Sequence, residues 1–317
     1  MSGKKIITVF GATGNQGGSV VETFLSDPKL KNDWSVRGIT RDVTKDSSKK
    51  LAEKGVEVVS ADLNDKASVV AALKNSYAVF AVTNYWEKLD MELEIQQGKN
   101  IADAAKETGV KLLIWSSLYN VTKHSNGVLA HVYHFDSKAL VEDYIRELGI
   151  PATFFMPGFY MTNLPGAMFR PSPPDDAWTL GMPIPATSVI PMYLPSDTGK
   201  YIKAAVLNED KVLGKHILGA TAYMTGQEVV DGFKQAFPES GKTARFFDVP
   251  EDMFRGFLKG QGSPDFVVDE MHQNMRLMNE FGYYFGEPLD FTHGLVEDRL
   301  TTWEEYARSA AGFAEAK

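Results

Sequence analysis

The chain has 317 residues, 44% of them hydrophobic and 23% charged, and it carries a formal net charge of −8 at pH 7. This composition is ordinary for a globular protein, and the length allows one large domain or a core with a smaller attached region. The negative charge argues against direct nucleic-acid binding, and the absence of cysteine excludes disulfides, thiolate nucleophiles and cysteine-ligated metals.

The first half of the sequence alternates short β-type runs with helical patterns. We predict strands at Ile6–Phe10, Ser35–Thr40, Val56–Ser60, Ala78–Thr83, Lys111–Ser116 and Ala152–Met156. The helices predicted between them are Gln16–Leu25, Asp46–Lys54, Lys66–Leu73, Met91–Thr108 and Ser137–Leu148. Short apolar strands alternating with helices are typical of a parallel sheet covered on both faces, so the sequence predicts a Rossmann-type, doubly wound α/β fold.

The pattern changes after Pro151. Proline-rich stretches at Arg170–Asp176 and Met182–Pro195 predict ordered loops. Helical patterns follow at Asp197–Leu207, Gly226–Ala236, Pro250–Leu258, Asp265–Phe281 and Thr301–Ala311, the last with Glu304 placed for a capping box. We therefore predict a Rossmann core over residues 1–156 and a smaller C-terminal α+β lobe over residues 157–317, interleaved with the core.

A stripe of methionines and aromatics runs through Met271–Phe285. Two interpretations are open: a surface that binds a partner or lines a pocket, and a helix that buries its apolar face within the lobe. The second is favoured, because apolar residues at helical spacing usually face a core.

Three glycines lie between the first predicted strand and the first predicted helix. The pattern Gly11-x-x-Gly14-x-x-Gly17 is typical of a dinucleotide site in this position. Gly11 permits the tight turn, Gly14 lets the backbone approach a pyrophosphate, and Gly17 lets the helix pack closely against the strand. The alternative, a glycine-rich turn without a ligand, is less favoured.

The end of the second predicted strand indicates which dinucleotide is bound. Arg41 follows the strand directly and Arg37 lies within it, so a guanidinium is available for a 2′-phosphate. This favours NADP(H) over NAD. Asp42 argues the other way, because a shift of the strand end by one residue would offer a carboxylate to the ribose hydroxyls.

Further segments complete a recognisable series: GATGNQGG, VRGITRD, ADLND, VTNYWE, HFDSKALVEDYIRELGIPATFFMPGFYMTNL, MNEFGYYFG and LTTWEEYAR. In these segments the chain closely resembles the NmrA-like family, an atypical branch of the short-chain dehydrogenase/reductases. The resemblance implies one of two behaviours. Some members are NADP(H)-dependent reductases, and others bind the dinucleotide without evident turnover and act as redox sensors through protein partners.

The resemblance also implies a set of contact residues. For the cofactor these are Gly11, Thr13, Gly14, Asn15, Gln16, Gly17, Arg37, Arg41, Asp62, Leu63, Thr83, Asn84, Tyr85, Lys138, Tyr160 and Asn163. A substrate pocket would be walled by Tyr85, Trp86, Phe159 and Tyr160. Structural alternatives stay open: Asp62 and Asn163 could cap a loop and a helix, and Tyr85 and Trp86 could be core aromatics.

Short-chain dehydrogenases generally use Tyr-x-x-x-Lys, in which the lysine lowers the pKa of a proton-transferring tyrosine. The lysine here is Lys138, but the residue four positions before it is His134, and Tyr133 is displaced by one. The candidate catalytic residues are therefore Lys138, His134, Tyr133 and Ser117, the last as a substrate-orienting serine next to Ser116.

Two functions follow from this site. We favour an NADPH-dependent oxidoreductase that acts on a small carbonyl, quinone or activated alkene, with His134 or Tyr133 relaying a proton. The alternative is a non-catalytic NADP(H) redox sensor that regulates a protein partner and thereby transcription. The partner is accordingly a small-molecule substrate or a regulatory protein.

Several other properties are expectations from the sequence. No metal is expected, because His131-x-x-His134 lacks a further ligand at matching spacing. No uncharged apolar stretch of about 18 residues is present and no secretion signal precedes the first strand, so we expect no membrane insertion and a location in the cytoplasm or the nucleus. A monomer or a homodimer is expected.

Overall fold

The computed structural model describes residues 3–316, and its centre is a sheet of seven strands. The first six strands are β1 (Lys5–Val9), β2 (Trp34–Thr40), β3 (Glu57–Ser60), β4 (Ala78–Ala81), β5 (Leu112–Ser116) and β6 (Ala152–Pro157). The helices in this part are α1 (Asn15–Ser26), α2 (Asp46–Glu53), α3 (Lys66–Leu73), α4 (Met91–Thr108), α5 (Val121–His124) and α6 (Tyr133–Glu147). The predicted strands and helices are confirmed within a few residues, although α6 begins four residues earlier than expected and α5 was not predicted.

The second half of the chain contains more strands than its sequence indicates. They are β7 (Phe159–Tyr160), β8 (Phe169–Ser172), β9 (Ala177–Met182), β10 (Val189–Tyr193), β11 (His216–Gly219), β12 (Ala222–Thr225) and β13 (Arg245–Asp248). The helices are α7 (Thr198–Leu207), α8 (Glu209–Val212), α9 (Gly226–Ala236), α10 (Glu251–Gly260), α11 (Asp265–Glu280), α12 (Asp290–His293) and α13 (Trp303–Ser309).

The central sheet has the strand order β11-β6-β5-β4-β1-β2-β3, and its paired strands all run parallel. The Rossmann-type fold is therefore confirmed. Because the strands are parallel, their carboxyl ends meet at one edge of the sheet. The strand order reverses between β1 and β4, and a crevice at such a point is the usual ligand site of this architecture.

The later part of the chain contributes to the central sheet as well as to the lobe. Strand β11 completes the sheet beside β6, and α7 packs so closely on α1 that a Cβ at Gly199 would lie 2.0 Å from Thr23 Oγ1. Two small sheets, β12-β10-β7 and β13-β9-β8, belong to the C-terminal region. The division of the chain near residue 156 stays a prediction.

The prediction of loops for the two proline-rich stretches is confirmed for residues 173–176 and 183–188 and wrong for the strands on either side of them. Strand β8 overlaps the first stretch and β10 lies in the second. Strand β8 is an edge strand beside β9, and an edge position tolerates the missing N–H of Pro171. An edge position explains the proline of β8 but not that of β10, because β10, which contains Pro191, is the middle strand of the sheet β12-β10-β7.

Helix α13 begins later than its sequence suggests. The capping box is formed by Thr302 and Glu305, not by Thr301 and Glu304. Thr301 instead donates its backbone N–H to Asp197 Oδ2 at 2.7 Å, which holds it outside the helix.

Helix α11 buries an apolar face that includes Val268, Met275, Leu277 and Met278. This supports the favoured interpretation of the methionine-rich stripe, a helix packed within the lobe. Within residues 3–316, no helix is both long and apolar enough to cross a membrane.

Candidate active site

The glycine loop after β1 has the geometry that its sequence predicts. Gly11 has a positive φ of 62°, a conformation that side-chain-bearing residues rarely adopt. A Cβ at Gly17 would lie 2.3 Å from the carbonyl oxygen of Gly11, so only glycine fits at that position. Among the described residues, no side chain caps the start of α1 at Gly14. The first N–H groups of α1 therefore remain available for a phosphate.

In the loop after β2, the guanidinium of Arg41 is exposed, whereas the carboxylate of Asp42 is hydrogen-bonded within the loop. The side chain of Arg41 is 70% exposed and contacts Glu87, which lies in a 3-10 turn after β4. Asp42 accepts hydrogen bonds from the backbone N–H and the hydroxyl of Thr44 at 2.8 and 2.6 Å, and these bonds hold the pKa of Asp42 below its usual value. Asp42 is thus occupied within its own loop, whereas Arg41 is accessible at the crevice.

The structure corrects the assignment of Arg37 to the cofactor. Its guanidinium is buried, pairs with Glu57 at 2.9 Å and donates to the carbonyl oxygens of Ala72 and Lys74 at 2.9 and 2.7 Å. These bonds satisfy the end of α3. Arg37 therefore stabilises the sheet and has little left to offer a 2′-phosphate.

Asp62 caps the loop after β3, which is the structural alternative to a contact with the cofactor. Asp62 Oδ1 accepts hydrogen bonds from the backbone N–H and the side-chain amide of Asn64, at 2.9 and 3.0 Å. The carbonyl oxygen of Leu63 accepts from Asn100 Nδ2 at 2.7 Å. A contact of Asp62 or Leu63 with adenine stays a prediction.

Three polar residues follow one face of α6 at intervals of one turn. They are His134, Lys138 and Glu142, and all three are buried. The spacing of four residues puts them in a row on a helix. Each contacts a different part of the molecule.

Lys138 is held within the Rossmann core. Its ammonium donates to Glu94 Oε1 at 2.8 Å, to Thr83 Oγ1 at 3.1 Å and to the Thr83 carbonyl oxygen at 3.2 Å. Ser137 also donates to Glu94. Burial alone would raise the pKa of Glu94, but the charge of Lys138 and the hydrogen bonds hold it below its usual value.

His134 is held by the C-terminal lobe. Glu270 on α11 is fully buried, and its Oε1 accepts from the backbone N–H and from Nδ1 of His134 at 2.9 and 2.6 Å. Its Oε2 accepts from the Tyr85 hydroxyl at 2.8 Å. Burial and the Glu270 carboxylate raise the pKa of Tyr85, so the phenol stays protonated. The ring of Trp86 lies 4.7 Å from that of His134.

Glu94 and Glu270 are site residues that the sequence analysis missed. A signal was present for both. Glu94 precedes Gly98 and Ile101 on the buried face of α4, and Glu270 lies between Val267 and Asn274 on the buried face of α11. An acidic residue at an apolar helical position predicts a buried partner, although the sequence does not say which one.

The two serines at the end of β5 point to different networks. Ser116 donates to Gln16 Oε1 at 2.9 Å, and Gln16 Nε2 donates to the Tyr160 hydroxyl at 2.7 Å. This series of hydrogen bonds connects the glycine loop, β5 and β7. Ser117 donates instead to Glu142 Oε2 at 2.6 Å, so its catalytic role stays a prediction.

The remaining predicted residues are spread over the rim and the core. Thr13, Asn15, Asn84 and Asn163 are exposed. Tyr133 is half-buried at the start of α6, where its hydroxyl lies 2.6 Å from His131 Nδ1. Phe159 is buried in the main hydrophobic core.

An open cleft of about 510 Å³ adjoins the glycine loop. It lies between the start of α1, the segment Leu194–Ser196 and helix α13. Thr162 lines it, but the predicted pocket residues Trp86, Phe159 and Tyr160 do not. Their contact with a substrate stays a prediction.

The chain is similar to known proteins in sequence and in fold. The sequence profile of the NmrA-like family matches residues 3–307. The NmrA-like family domain-containing oxidoreductase malD of Malbranchea aurantiaca is 31% identical over 270 residues, which cover 79% of each chain.

Two solved structures share the fold. NmrA, a negative transcriptional regulator, in complex with NADP has a TM-score of 0.80 at 20% identity, with 98% of this chain and 96% of that chain covered. The same regulator has been solved with NAD. The NADPH-dependent quinone oxidoreductase of Escherichia coli, complexed with NADPH, has a TM-score of 0.73 at 21% identity and coverages of 96% and 99%.

Proposed function

This chain belongs to the NmrA-like family, and we propose that it is an NADP(H)-dependent oxidoreductase that reduces a small carbonyl, quinone or activated alkene. The relative malD carries the name of an oxidoreductase. Structural neighbours with the same fold bind NADP and NADPH. These likenesses support the cofactor and the reaction class, and they leave the substrate open.

The observation that carries the proposal is the cradle at the start of α1. Gly17 excludes any side chain from the loop, and the uncapped N–H groups after Gly14 face the crevice at the strand-order reversal. Arg41 lies on the rim with a free guanidinium face, and Asp42 is turned away. This donor set fits a pyrophosphate and a 2′-phosphate.

The residues beyond the cradle suit the reduced end of the cofactor. NADPH, when bound, supplies a hydride. Lys138, held by Glu94 and Thr83, would fix the nicotinamide end, and His134 would deliver a proton to the substrate oxygen. Tyr85, kept protonated, would support the orientation of His134 through Glu270.

Two observations favour a second function. The residue four before Lys138 is His134 and not the usual tyrosine, and the neighbour NmrA is a transcriptional regulator. A protein that binds NADP(H) without turnover would use occupancy of the site to change its affinity for a protein partner, which requires differential binding.

The test is binding and turnover with the full chain. NADPH and NADH are titrated by nucleotide fluorescence, and NADPH oxidation is then followed with a panel of quinones, aldehydes and enones. We expect NADPH to bind at least about 10-fold more tightly than NADH and at least one acceptor class to be reduced. Preferential NADPH binding without turnover would favour the sensor, and failure to bind either dinucleotide would refute both functions.

A further inference from the structure

We propose that Glu270 is a positioning residue that orients His134 for proton delivery, so that the C-terminal lobe completes the reactive site. The inference rests on the proposed oxidoreductase function. It adds a residue from α11 to the candidate catalytic residues Ser117, Tyr133, His134 and Lys138, which all come from the first half of the chain.

The contacts of Glu270 determine the orientation of the imidazole. Its Oε1 binds both the backbone N–H and Nδ1 of His134 at 2.9 and 2.6 Å. A carboxylate at Nδ1 requires a proton on that nitrogen, which leaves Nε2 as the nitrogen that exchanges a proton with a ligand. Within residues 3–316, Nε2 of His134 makes no hydrogen bond to the protein.

The charge environment distinguishes Glu270 from Glu94 and Glu142, two other buried carboxylates near α6. Glu94 pairs with Lys138, and Glu142 pairs with Arg146. Across the described part of the chain, the ion-pair partner of Glu270 is His134 alone. Burial of a carboxylate that has no lysine or arginine partner lowers the stability of the folded state, because the charge loses its hydration. Its hydrogen bonds serve His134 and Tyr85 instead.

The neighbouring residues indicate a ligand on this side of α11. Trp86 covers His134 and is 45% exposed, so the imidazole lies beneath a surface that a ligand can reach. Asn274 follows Glu270 by one turn, and its Oδ1 is buried without a hydrogen-bond donor among the described residues. A buried acceptor of this kind normally has a partner, which a ligand or a water bound there would supply.

The proposed step adds a hydride and a proton to a carbonyl group. The carbon of a carbonyl group gains the hydride that NADPH supplies, and its C=O double bond becomes a single bond. The N–H bond at Nε2 of protonated His134 breaks, and an O–H bond forms on the substrate oxygen. Neutral His134 then keeps its Nδ1–H on Glu270 and regains a proton from solvent.

The experiment compares four variants with the wild type: Glu270→Gln, His134→Ala, the double variant and Asp269→Asn. Asp269 is the matched control, because it is the adjacent carboxylate of α11 and forms a half-exposed pair with Arg255. NADPH oxidation is measured with 1,4-benzoquinone, 4-nitrobenzaldehyde or cyclohexenone, whichever the wild type reduces fastest. NADPH affinity is measured separately.

We expect Glu270→Gln to lower kcat by about 30- to 100-fold, less than the roughly 100- to 10,000-fold that a general acid itself contributes, because His134 remains in place. The Kd for NADPH should change less than about 2-fold. Asp269→Asn should behave as the wild type. In the His134→Ala background, Glu270→Gln should cause no further loss, because the two residues act as one unit. Free imidazole should restore turnover to His134→Ala but not to the double variant.

A second measurement does not depend on turnover. Proton NMR of the NADP⁺ complex should show a downfield Nδ1–H resonance that is present in Asp269→Asn and missing from Glu270→Gln and His134→Ala. An unchanged kcat in Glu270→Gln, an equal loss in the presence and absence of His134, or a missing resonance in the wild type would overturn the inference. Wild-type protein that binds NADPH but reduces no acceptor would overturn the proposed function and the inference together.

Discussion

Two buried carboxylates bind residues on successive turns of α6, and they come from opposite parts of the chain. Glu94, on α4, lies 44 positions before Lys138, whereas Glu270, on α11, lies 136 positions after His134. The first pair is internal to the Rossmann core, and the second joins the core to the lobe. The contrast implies that changes on the core side alter stability and cofactor binding, whereas changes at Glu270 alter turnover.

The largest effect on cofactor binding is expected at the glycine loop. Gly17→Ala places a Cβ 2.3 Å from the Gly11 carbonyl oxygen, which forces the loop away from the start of α1. We expect NADPH affinity to fall by at least about 100-fold, or about 2.7 kcal/mol. Fluorescence titration measures it.

Gly18→Ala is the matched control, because its Cβ would lie 3.6 Å from the carbonyl oxygen of Ala12, an ordinary contact distance. This variant should bind NADPH nearly as the wild type does and gain about 0.5–1 kcal/mol of stability from the helical alanine. Equal losses in both variants would contradict the close-approach argument.

The next effect tests whether the Lys138 pair belongs to the core. Lys138→Met leaves the buried Glu94 carboxylate without its partner, and we expect a loss of about 3–5 kcal/mol in the free energy of unfolding. Adding Glu94→Gln should recover at least half of that loss. Urea unfolding followed by tryptophan fluorescence provides the measurement.

Lys54→Met is the control for removal of a lysine, because Lys54 and Glu22 form an exposed pair. It should cost no more than about 1 kcal/mol. If the double variant at Lys138 and Glu94 is no more stable than Lys138→Met, loss of packing and not the unpaired charge explains the result.

Two arginines near β2 separate cofactor binding from stability. Arg41→Ala removes an exposed guanidinium, so we expect NADPH affinity to fall by about 10- to 100-fold with little change for NADH. Arg37→Ala removes bonds to Glu57 and to the end of α3, so it should lower the melting temperature and leave the ratio of the NADPH and NADH affinities unchanged. The reverse outcome would restore Arg37 as the phosphate ligand.

The smallest effect concerns acid stability. Burial would raise the pKa of Glu142, but the hydrogen bonds from His216, Ser117 and Arg146 lower it below its usual value of 4.5. A depressed carboxyl pKa contributes stability above the unfolded value that is lost as pH falls through the folded value. Glu142→Gln should therefore have a shallower decline of unfolding free energy between about pH 5 and pH 3. If the unfolding free energies of the wild type and of Glu142→Gln decline in parallel, other titrating groups determine the acid stability.

The sequence determined the core and the geometry of the glycine loop, because their signals are local. Strand–helix alternation and the glycine spacing each lie within a short stretch, and backbone sterics limit each of them to one local structure. The structure agrees at Gly11, Gly17 and Arg41.

Tertiary structure decided the rest. Arg37 and Arg41 are indistinguishable as residue types, but only burial against Glu57 and α3 shows that Arg37 is occupied. Strand β10 forms, against the local tendency of proline, because the distant strands β7 and β12 supply its partners. Glu270 reaches His134 only because α11 packs against the start of α6. A hydrogen bond across 136 positions depends on how the whole chain folds, which no short stretch encodes.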